Sequence, residues 1–198
     1  MHDPLKTTCD LLAGAIPTRR QVLKMGVFAS ALMMMPWQAW AKVGRSIVEL
    51  PERAISLYNV NTGEFLSKFI YWQDGNYLKG ALDEISYLLR DHRTDEAIEF
   101  DPLVIDQAFA INRVLGVSQP FEIISAYRSE TTNKALRRQS RRVARHSMHI
   151  EGRAIDLRLP GVPVKKLQAA ALSLQEGGVG FYPRRGFVHI DSGPVRHW

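Results

Sequence analysis

The chain has 198 residues, 45% hydrophobic and 23% charged, which fits a globular protein with one core. Its formal net charge of +6 is compatible with an anionic polymer as partner but does not by itself indicate one. The single cysteine, Cys9, excludes an intrachain disulfide and a cysteine zinc finger, so a bound metal would need histidine and carboxylate ligands.

Residues 1–41 have the features of an export signal. Arg19-Arg20 followed by residues 22–24 resembles a twin-arginine motif, and Ala39-Trp40-Ala41 has the small-x-small pattern of a cleavage site. The apolar run between them, residues 25–35, is about half of the roughly 20 residues that a membrane-spanning helix needs. We therefore expect cleavage after Ala41 and export to the periplasm through the twin-arginine machinery, without a stable membrane anchor. An uncleaved N-terminal anchor is the alternative.

The remaining chain, residues 42–198, reads as one domain. Period-two patterns predict strands over residues 54–60, 64–71, 121–127, 154–159, 179–182 and 187–191. Helical spacing predicts helices over residues 76–90, 102–115 and 130–145, and a further helix that starts at Pro163. Asp101 is the predicted N-cap of the second helix. Because helices and strands are segregated more than alternated, we predict an α+β domain with a mainly antiparallel sheet flanked by helices.

Two segments near the C-terminus concentrate metal-binding side chains: residues 147–156 and residues 187–191. Side chains alternate between the two faces of a strand, so Asp156, His189 and Asp191 should lie on the face opposite the aliphatic residues. Alternation alone favours a simpler explanation, two half-exposed strands whose polar residues face water. The residue types favour a metal, because His149, Asp156 and His189 are a ligand set suited to one catalytic zinc ion per chain. Zinc-activated water would suit amide hydrolysis.

Such a hydrolase also needs a proton acceptor near the metal. Asp191 is the first candidate, because it lies two residues from His189 on the same strand face. Glu151 and His146 are the alternatives. Arg128, at the end of a predicted strand, could bind a substrate carboxylate or stabilise a developing oxyanion, or it could be an ordinary surface arginine.

The motif Ser147-x-His149-x-x-Gly152-x-Ala154-x-Asp156, followed by His189, resembles the zinc D-Ala-D-Ala metallopeptidases. Four further segments are similar to the murein endopeptidase K branch of that superfamily: residues 125–129, 177–183, 187–191 and 193–198. The similarity extends over essentially the whole predicted mature chain.

The resemblance implies a fold shared with the hedgehog signalling domains and a function in the cell wall. It implies that His149, Asp156 and His189 bind zinc and that Arg128 positions the substrate. It also implies that the substrate is the peptide part of peptidoglycan, cut beside D-amino-acid centres in cross-links or stem peptides. The Ser-x-His-x-x-Gly frame selects His149 over His146 as the ligand.

One departure concerns the general base. Many relatives have a glutamate three residues before the last ligand or a histidine two residues before it, and here these positions are Gly186 and Phe187. Asp191 is therefore the expected substitute. The departure also allows a different function, a catalytically silent, zinc-containing peptidoglycan-binding protein.

Five arginines recur at helical spacing within the third predicted helix: Arg137, Arg138, Arg141, Arg142 and Arg145. A solvated helix face is the simplest interpretation. Nucleic-acid binding is disfavoured, because the run lacks interleaved aromatic residues and the chain is predicted to be exported. Contact with the carboxylates of peptidoglycan stem peptides is a third interpretation.

Overall fold

The computed structural model describes residues 50–140 and 143–198, so the predicted export signal and Arg141 and Arg142 lie outside the described residues. The strands are β1 (Glu52–Asn59), β2 (Phe65–Gln73), β3 (Asn76–Tyr77), β4 (Phe121–Ser125), β5 (Ala154–Arg158), β6 (Gly178–Tyr182), β7 (Phe187–Asp191) and β8 (Arg196–His197). The helices are α1 (Lys79–Leu88), α2 (Pro102–Leu115), α3 (Glu130–Gln139) and α4 (Val164–Ser173).

The strands form one sheet in the order β3-β2-β1-β4-β5-β7-β6-β8. Neighbouring strands are antiparallel except for two parallel pairs, β1 with β4 and β6 with β8. This architecture confirms the predicted α+β domain with a mainly antiparallel sheet. Within the described residues, no helix is both long and apolar enough to cross a membrane.

Helix α2 begins and ends where the sequence predicts. The Asp101 carboxylate accepts a hydrogen bond from the Leu103 backbone N–H, and Pro102 occupies the first helical position. Gly116 closes the helix in the left-handed conformation at φ 64°, which glycine adopts without a Cβ clash. The helix packs against α4 and the sheet, and so it helps to cover the core beneath β7.

Two predicted helices have different bounds in the structure. The helix predicted from residue 76 starts at Lys79, because Asn76 and Tyr77 pair with the end of β2 instead. The helix predicted to extend to residue 145 ends at Gln139, where Ser140 adopts an extended conformation. The terminal hairpin of β6 and β7 is confirmed, but the short strand β8, which pairs with β6 in parallel, was not predicted.

The core-facing side of β5 and β7 follows the predicted alternation. Ile155, Leu157, Val188 and Ile190 are all at most 1% exposed. The opposite side is not the water-facing surface of an ordinary half-exposed strand, because every residue of β7 is buried. A histidine and an aspartate therefore lie inside the protein, where polar groups need partners.

Candidate metal site

The two predicted ligands on strands are brought together by strand pairing. Asp156 on β5 is the direct partner of His189 on the neighbouring antiparallel strand β7. Side chains of directly opposed residues project from the same face with Cβ atoms about 5 Å apart. The sheet register therefore places an aspartate and a histidine, 33 residues apart in sequence, within contact distance.

His149 reaches the same point from the turn that precedes β5. The turn is closed by hydrogen bonds from the Ile150 and Arg153 backbone N–H groups to the Ser147 and Met148 carbonyl oxygens. Gly152 has a φ of +66°, and a Cβ there would lie 3.0 Å from the Glu99 carbonyl oxygen. Glycine is therefore required at this position of the motif, both for its backbone conformation and for space.

The three ligand atoms converge. Asp156 Oδ1 lies 2.8 Å from His189 Nδ1 and 3.3 Å from His149 Nε2, and the two histidine nitrogens are 3.2 Å apart. His149 is 1% exposed and His189 is 7% exposed. Ligands bound at about 2.0–2.1 Å on the corners of a tetrahedron are separated by about 3.3 Å, so the observed spacings suit a zinc-sized ion.

Hydrogen bonds on the far side of each ring determine which nitrogen carries the proton. His149 Nδ1–H donates to the Ala126 carbonyl oxygen at 2.6 Å, because a carbonyl can only accept. His189 Nε2–H donates to the Asp191 carboxylate at 3.0 Å. The nitrogens that face Asp156 are therefore lone-pair acceptors in the neutral rings. Three acceptors within hydrogen-bond distance of one another need a cation between them.

The pKa shifts of Asp156 and His189 agree with this requirement. Burial alone would raise the pKa of Asp156, but the interactions with His149 and His189 outweigh burial and lower it. Burial would lower the pKa of His189, but hydrogen bonds with Asp156 and Asp191 outweigh it and raise the pKa. His149, fully enclosed, has its pKa lowered by burial. The cluster therefore favours a positive charge, which either a proton or a metal ion can supply.

Asp191 does not have the surroundings expected of a general base. It is fully buried, and its carboxylate accepts hydrogen bonds from His189, from the Gly178 and Gly193 backbone N–H groups and from both terminal nitrogens of Arg196. Burial would raise the pKa of Asp191, but the hydrogen bonds from His189 and Arg196 outweigh it and lower the pKa. The carboxylate thus lies behind the His189 ring, on the side away from Asp156.

The two alternative bases are not among the three residues whose ligand atoms converge. The Glu151 carboxylate accepts a hydrogen bond from Arg153 at 3.3 Å and is half exposed. His146 is exposed, and both residues line a surface groove beside α3. Among the described residues, the histidine nitrogens and the Asp156 carboxylate lie within hydrogen-bond distance of one another. The other ring nitrogens of His149 and His189 contact Ala126 and Asp191.

Arg128 is near the cluster and has one unused buried donor among the described residues. Its backbone N–H donates to the His149 carbonyl oxygen at 3.1 Å, and the Asp156 carboxylate acts electrostatically on its guanidinium. Burial lowers the pKa of Arg128, although the guanidinium stays charged. Within the described part of the chain, its buried Nε has no hydrogen-bond partner. The arginine is therefore a cation beside the cluster with a donor to spare, as a binding group for an anion would have.

A C-terminal wall, formed by Trp198 and Tyr182, was not predicted. The Trp198 ring lies 5.3 Å from the His189 ring, and its indole N–H donates to the Tyr182 hydroxyl at 2.9 Å. A Cβ at Gly180 would lie 2.8 Å from the Trp198 ring, so glycine there makes room for the indole. Trp198 is half exposed, which leaves an aromatic face open beside the cluster. The sequence signal was the glycine at every second position of β6, followed by Tyr182.

Comparison with known proteins identifies the family. A family model described as peptidoglycan L,D-endopeptidase MepK matches residues 49–198. The chain belongs to this family. It is 37% identical over 180 residues to the peptidoglycan L,D-endopeptidase MepK of Escherichia coli (strain K12), which covers 91% of this chain and 96% of that protein. It is 40% identical over 182 residues to the probable peptidoglycan L,D-endopeptidase MepK of Haemophilus influenzae, covering 91% and 95%. No solved structure matches.

Family membership and the His149–Asp156–His189 cluster together indicate a metal ion. The matched region contains the whole described domain and every residue of the site. It therefore confirms the resemblance to the D-Ala-D-Ala metallopeptidases and their murein endopeptidase branch that the motifs indicate.

Proposed function

We propose that the mature chain is a zinc-dependent endopeptidase that hydrolyses L,D peptide bonds in periplasmic peptidoglycan. One observation carries the proposal. The Asp156 carboxylate and the unprotonated ring nitrogens of His149 and His189 converge on one point, because the ring N–H groups of both histidines are bonded on their far sides. The chain that contains this cluster belongs to the peptidoglycan L,D-endopeptidase family. His149 Nε2, His189 Nδ1 and an Asp156 carboxylate oxygen would hold the ion. When bound, zinc supplies Lewis acidity, which polarises a peptide carbonyl and acidifies water.

Arg128 is proposed to position the substrate. Arg128 is partly buried beside the cluster and its Nε–H has no partner among the described residues, so a substrate carboxylate or carbonyl oxygen would gain a charge-assisted hydrogen bond there. The open face of Trp198 gives the bound peptide an apolar surface next to the same point.

Asp191 is proposed to orient His189 rather than to accept a proton from water. It fixes the Nε2–H tautomer of His189, and Arg196 and two backbone N–H groups fix the carboxylate in turn. Carboxylates in this position raise the basicity of a histidine ligand and hold its ring. This role replaces the general base expected from strand alternation.

The test is incubation of the mature protein with purified sacculi, followed by analysis of the released muropeptides. We expect cleavage products with zinc, none after chelation, and recovery when zinc is restored. The variant His149→Ala should release none. A protein that binds one equivalent of zinc and sacculi but releases no muropeptides would be the silent binding protein that Gly186 and Phe187 allow. A protein that binds no zinc would contradict both functions.

Export through the twin-arginine pathway is proposed for residues 1–41, on the basis of Arg19-Arg20 and the cleavage pattern before Lys42. Replacing both arginines by lysine should retain the full-length chain in the cytoplasm. The unchanged chain should appear in the periplasmic fraction with Lys42 as its first residue, as N-terminal sequencing would show.

A further inference from the structure

A groove of about 370 Å³ lies between α3 and the segment that leads to His149. Asn133 and Arg137 line it from the helix, and Arg145, His146 and Ile150 line it from the segment. The groove shares its turn with the ligand His149, and α3 begins two residues after Arg128. The residues that line the groove are therefore close in sequence to both His149 and Arg128.

Asn133 presents an unused acceptor at this groove. The residue is only 2% exposed, and its Nδ2–H donates to the Ala144 carbonyl oxygen at 3.1 Å, which orients the amide. Its Oδ1 is buried, and in the part of the chain that the structure describes it has no hydrogen-bond partner. Buried acceptors without partners are unfavourable, so this oxygen marks a place where a ligand N–H would be stabilised.

The charges of the groove leave two arginines unpaired. Two carboxylates line the groove, Glu130 and Glu151, and Glu130 forms an ion pair with Lys134 at 3.0 Å. Glu151, the other carboxylate, pairs with Arg153 at 3.3 Å. Within residues 50–140 and 143–198, Arg137 and Arg145 form no ion pair, and both are exposed. Two free guanidinium groups on opposite walls are suited to a carboxylate.

We propose that this groove binds a carboxylate-bearing peptide segment of the peptidoglycan stem, away from the bond that is cut. Arg137 and Arg145 bind the carboxylate, and Asn133 Oδ1 accepts a hydrogen bond from a peptide N–H. The proposal rests on the proposed function. A nucleic-acid phosphate would satisfy the arginines but has no N–H for Asn133, and no Phe, Tyr or Trp of the described residues lines the groove for base stacking.

The test measures binding separately from catalysis. A soluble stem peptide with free carboxylates and its carboxamide counterpart are titrated into metal-stripped protein by calorimetry, and the Asn133 side-chain amide signal is followed by NMR. The double variant Arg137→Gln/Arg145→Gln should bind the free peptide about tenfold more weakly, since an exposed charge pair contributes up to about fivefold. The carboxamide should bind the unchanged protein with a similar loss.

Arg138→Gln is the matched control, because Arg138 is an exposed arginine on the same helix that does not line the groove. It should bind the free peptide like the unchanged protein. Muropeptide release by the zinc-loaded protein is measured in parallel.

Three results would overturn the proposal. If the double variant binds the stem peptide normally while the protein releases muropeptides, the groove is not the binding site and the proposed function stands. If a single-stranded oligonucleotide binds through Arg137 and Arg145 and the stem peptide does not, the ligand class is wrong. If the stem peptide does not bind and the zinc-loaded protein releases no muropeptides from sacculi, both the groove and the proposed function fail.

Discussion

Two carboxylates on different elements of the domain, Asp106 and Asp156, have similar exposure but opposite surroundings. Their side chains are 19% and 13% exposed. Asp106 on α2 accepts hydrogen bonds from Tyr71, Tyr77 and Arg53 at 2.6–2.7 Å, so its charge is fully compensated by donors. Asp156 instead faces two histidine nitrogens whose ring protons are directed elsewhere. Burial of a carboxylate alone therefore does not indicate a site; a shortage of donors around it does.

The largest effect is expected for Asp156→Asn. The change removes the carboxylate of the proposed ligand set and leaves an amide whose N–H groups can bond to the histidines, so the demand for a cation disappears. Zinc affinity should fall by more than the about 10–100-fold that follows loss of an outer partner. Competition with a chromophoric chelator measures this. Retention of one tightly bound equivalent would show that Asp156 is not a ligand.

The same substitution at Asp106 should affect stability and not metal binding. Asp106→Asn removes the charge that pairs with the mostly buried Arg53, so the free energy of unfolding in urea should fall by about 2–4 kcal/mol. Zinc stoichiometry should stay unchanged. Asp83→Asn is the control, since the exposed pair of Asp83 with Lys79 should contribute less than about 0.5 kcal/mol. If Asp106→Asn lost zinc, the contrast between the two carboxylates would fail.

Asp191→Asn distinguishes orientation of His189 from general base catalysis. If Asp191 orients His189, the variant should bind zinc about 10–100-fold more weakly and regain much of its turnover at saturating zinc. Chelator competition and muropeptide release at several zinc concentrations measure the two quantities. Unchanged zinc affinity with no turnover at saturation would instead restore Asp191 as the base.

The smallest effect concerns Asp91, whose carboxylate accepts hydrogen bonds from the Ser129 and Arg93 backbone N–H groups and from the Ser129 hydroxyl. Burial would raise the pKa of Asp91, but hydrogen bonds from Thr132, Arg93 and Ser129 outweigh it and lower the pKa below 3.8. A lowered folded-state pKa stabilises the protein above the unfolded value, and this stabilisation is lost as pH falls through the folded value.

The unchanged protein should therefore be more stable than Asp91→Asn by about 1–3 kcal/mol above about pH 4. The difference should shrink at lower pH, as urea unfolding at a series of pH values would show. A difference that stays constant down to the lowest pH at which the protein folds would mean that the Asp91 charge is not involved.

Much of the site was predictable because its signals are local. Alternation on β5 and β7 predicted the shared face of Asp156 and His189, and the Ser-x-His-x-x-Gly frame selected His149. Asp191 also lies on that face, as predicted, but strand alternation did not predict its hydrogen bonds with His189 and Arg196. Alternation gives the face of a residue and not its partners, and the partner Arg196 follows on a two-residue strand with no pattern to detect.

The sequence by itself determined the α+β class, the family and the residue types that can bind a metal, because hydrophobic periodicity, capping and motif spacing are properties of short segments. The tertiary structure decided three matters. It decided which ring nitrogens of His149 and His189 face each other, that Asp191 lies on the Nε2 side of the His189 ring, and that Trp198 borders the site. The first depends on the register between β5 and β7 and on the turn that carries His149, and the third depends on the pairing of β8 with β6. Strand pairing of this kind is set by the packing of the whole sheet.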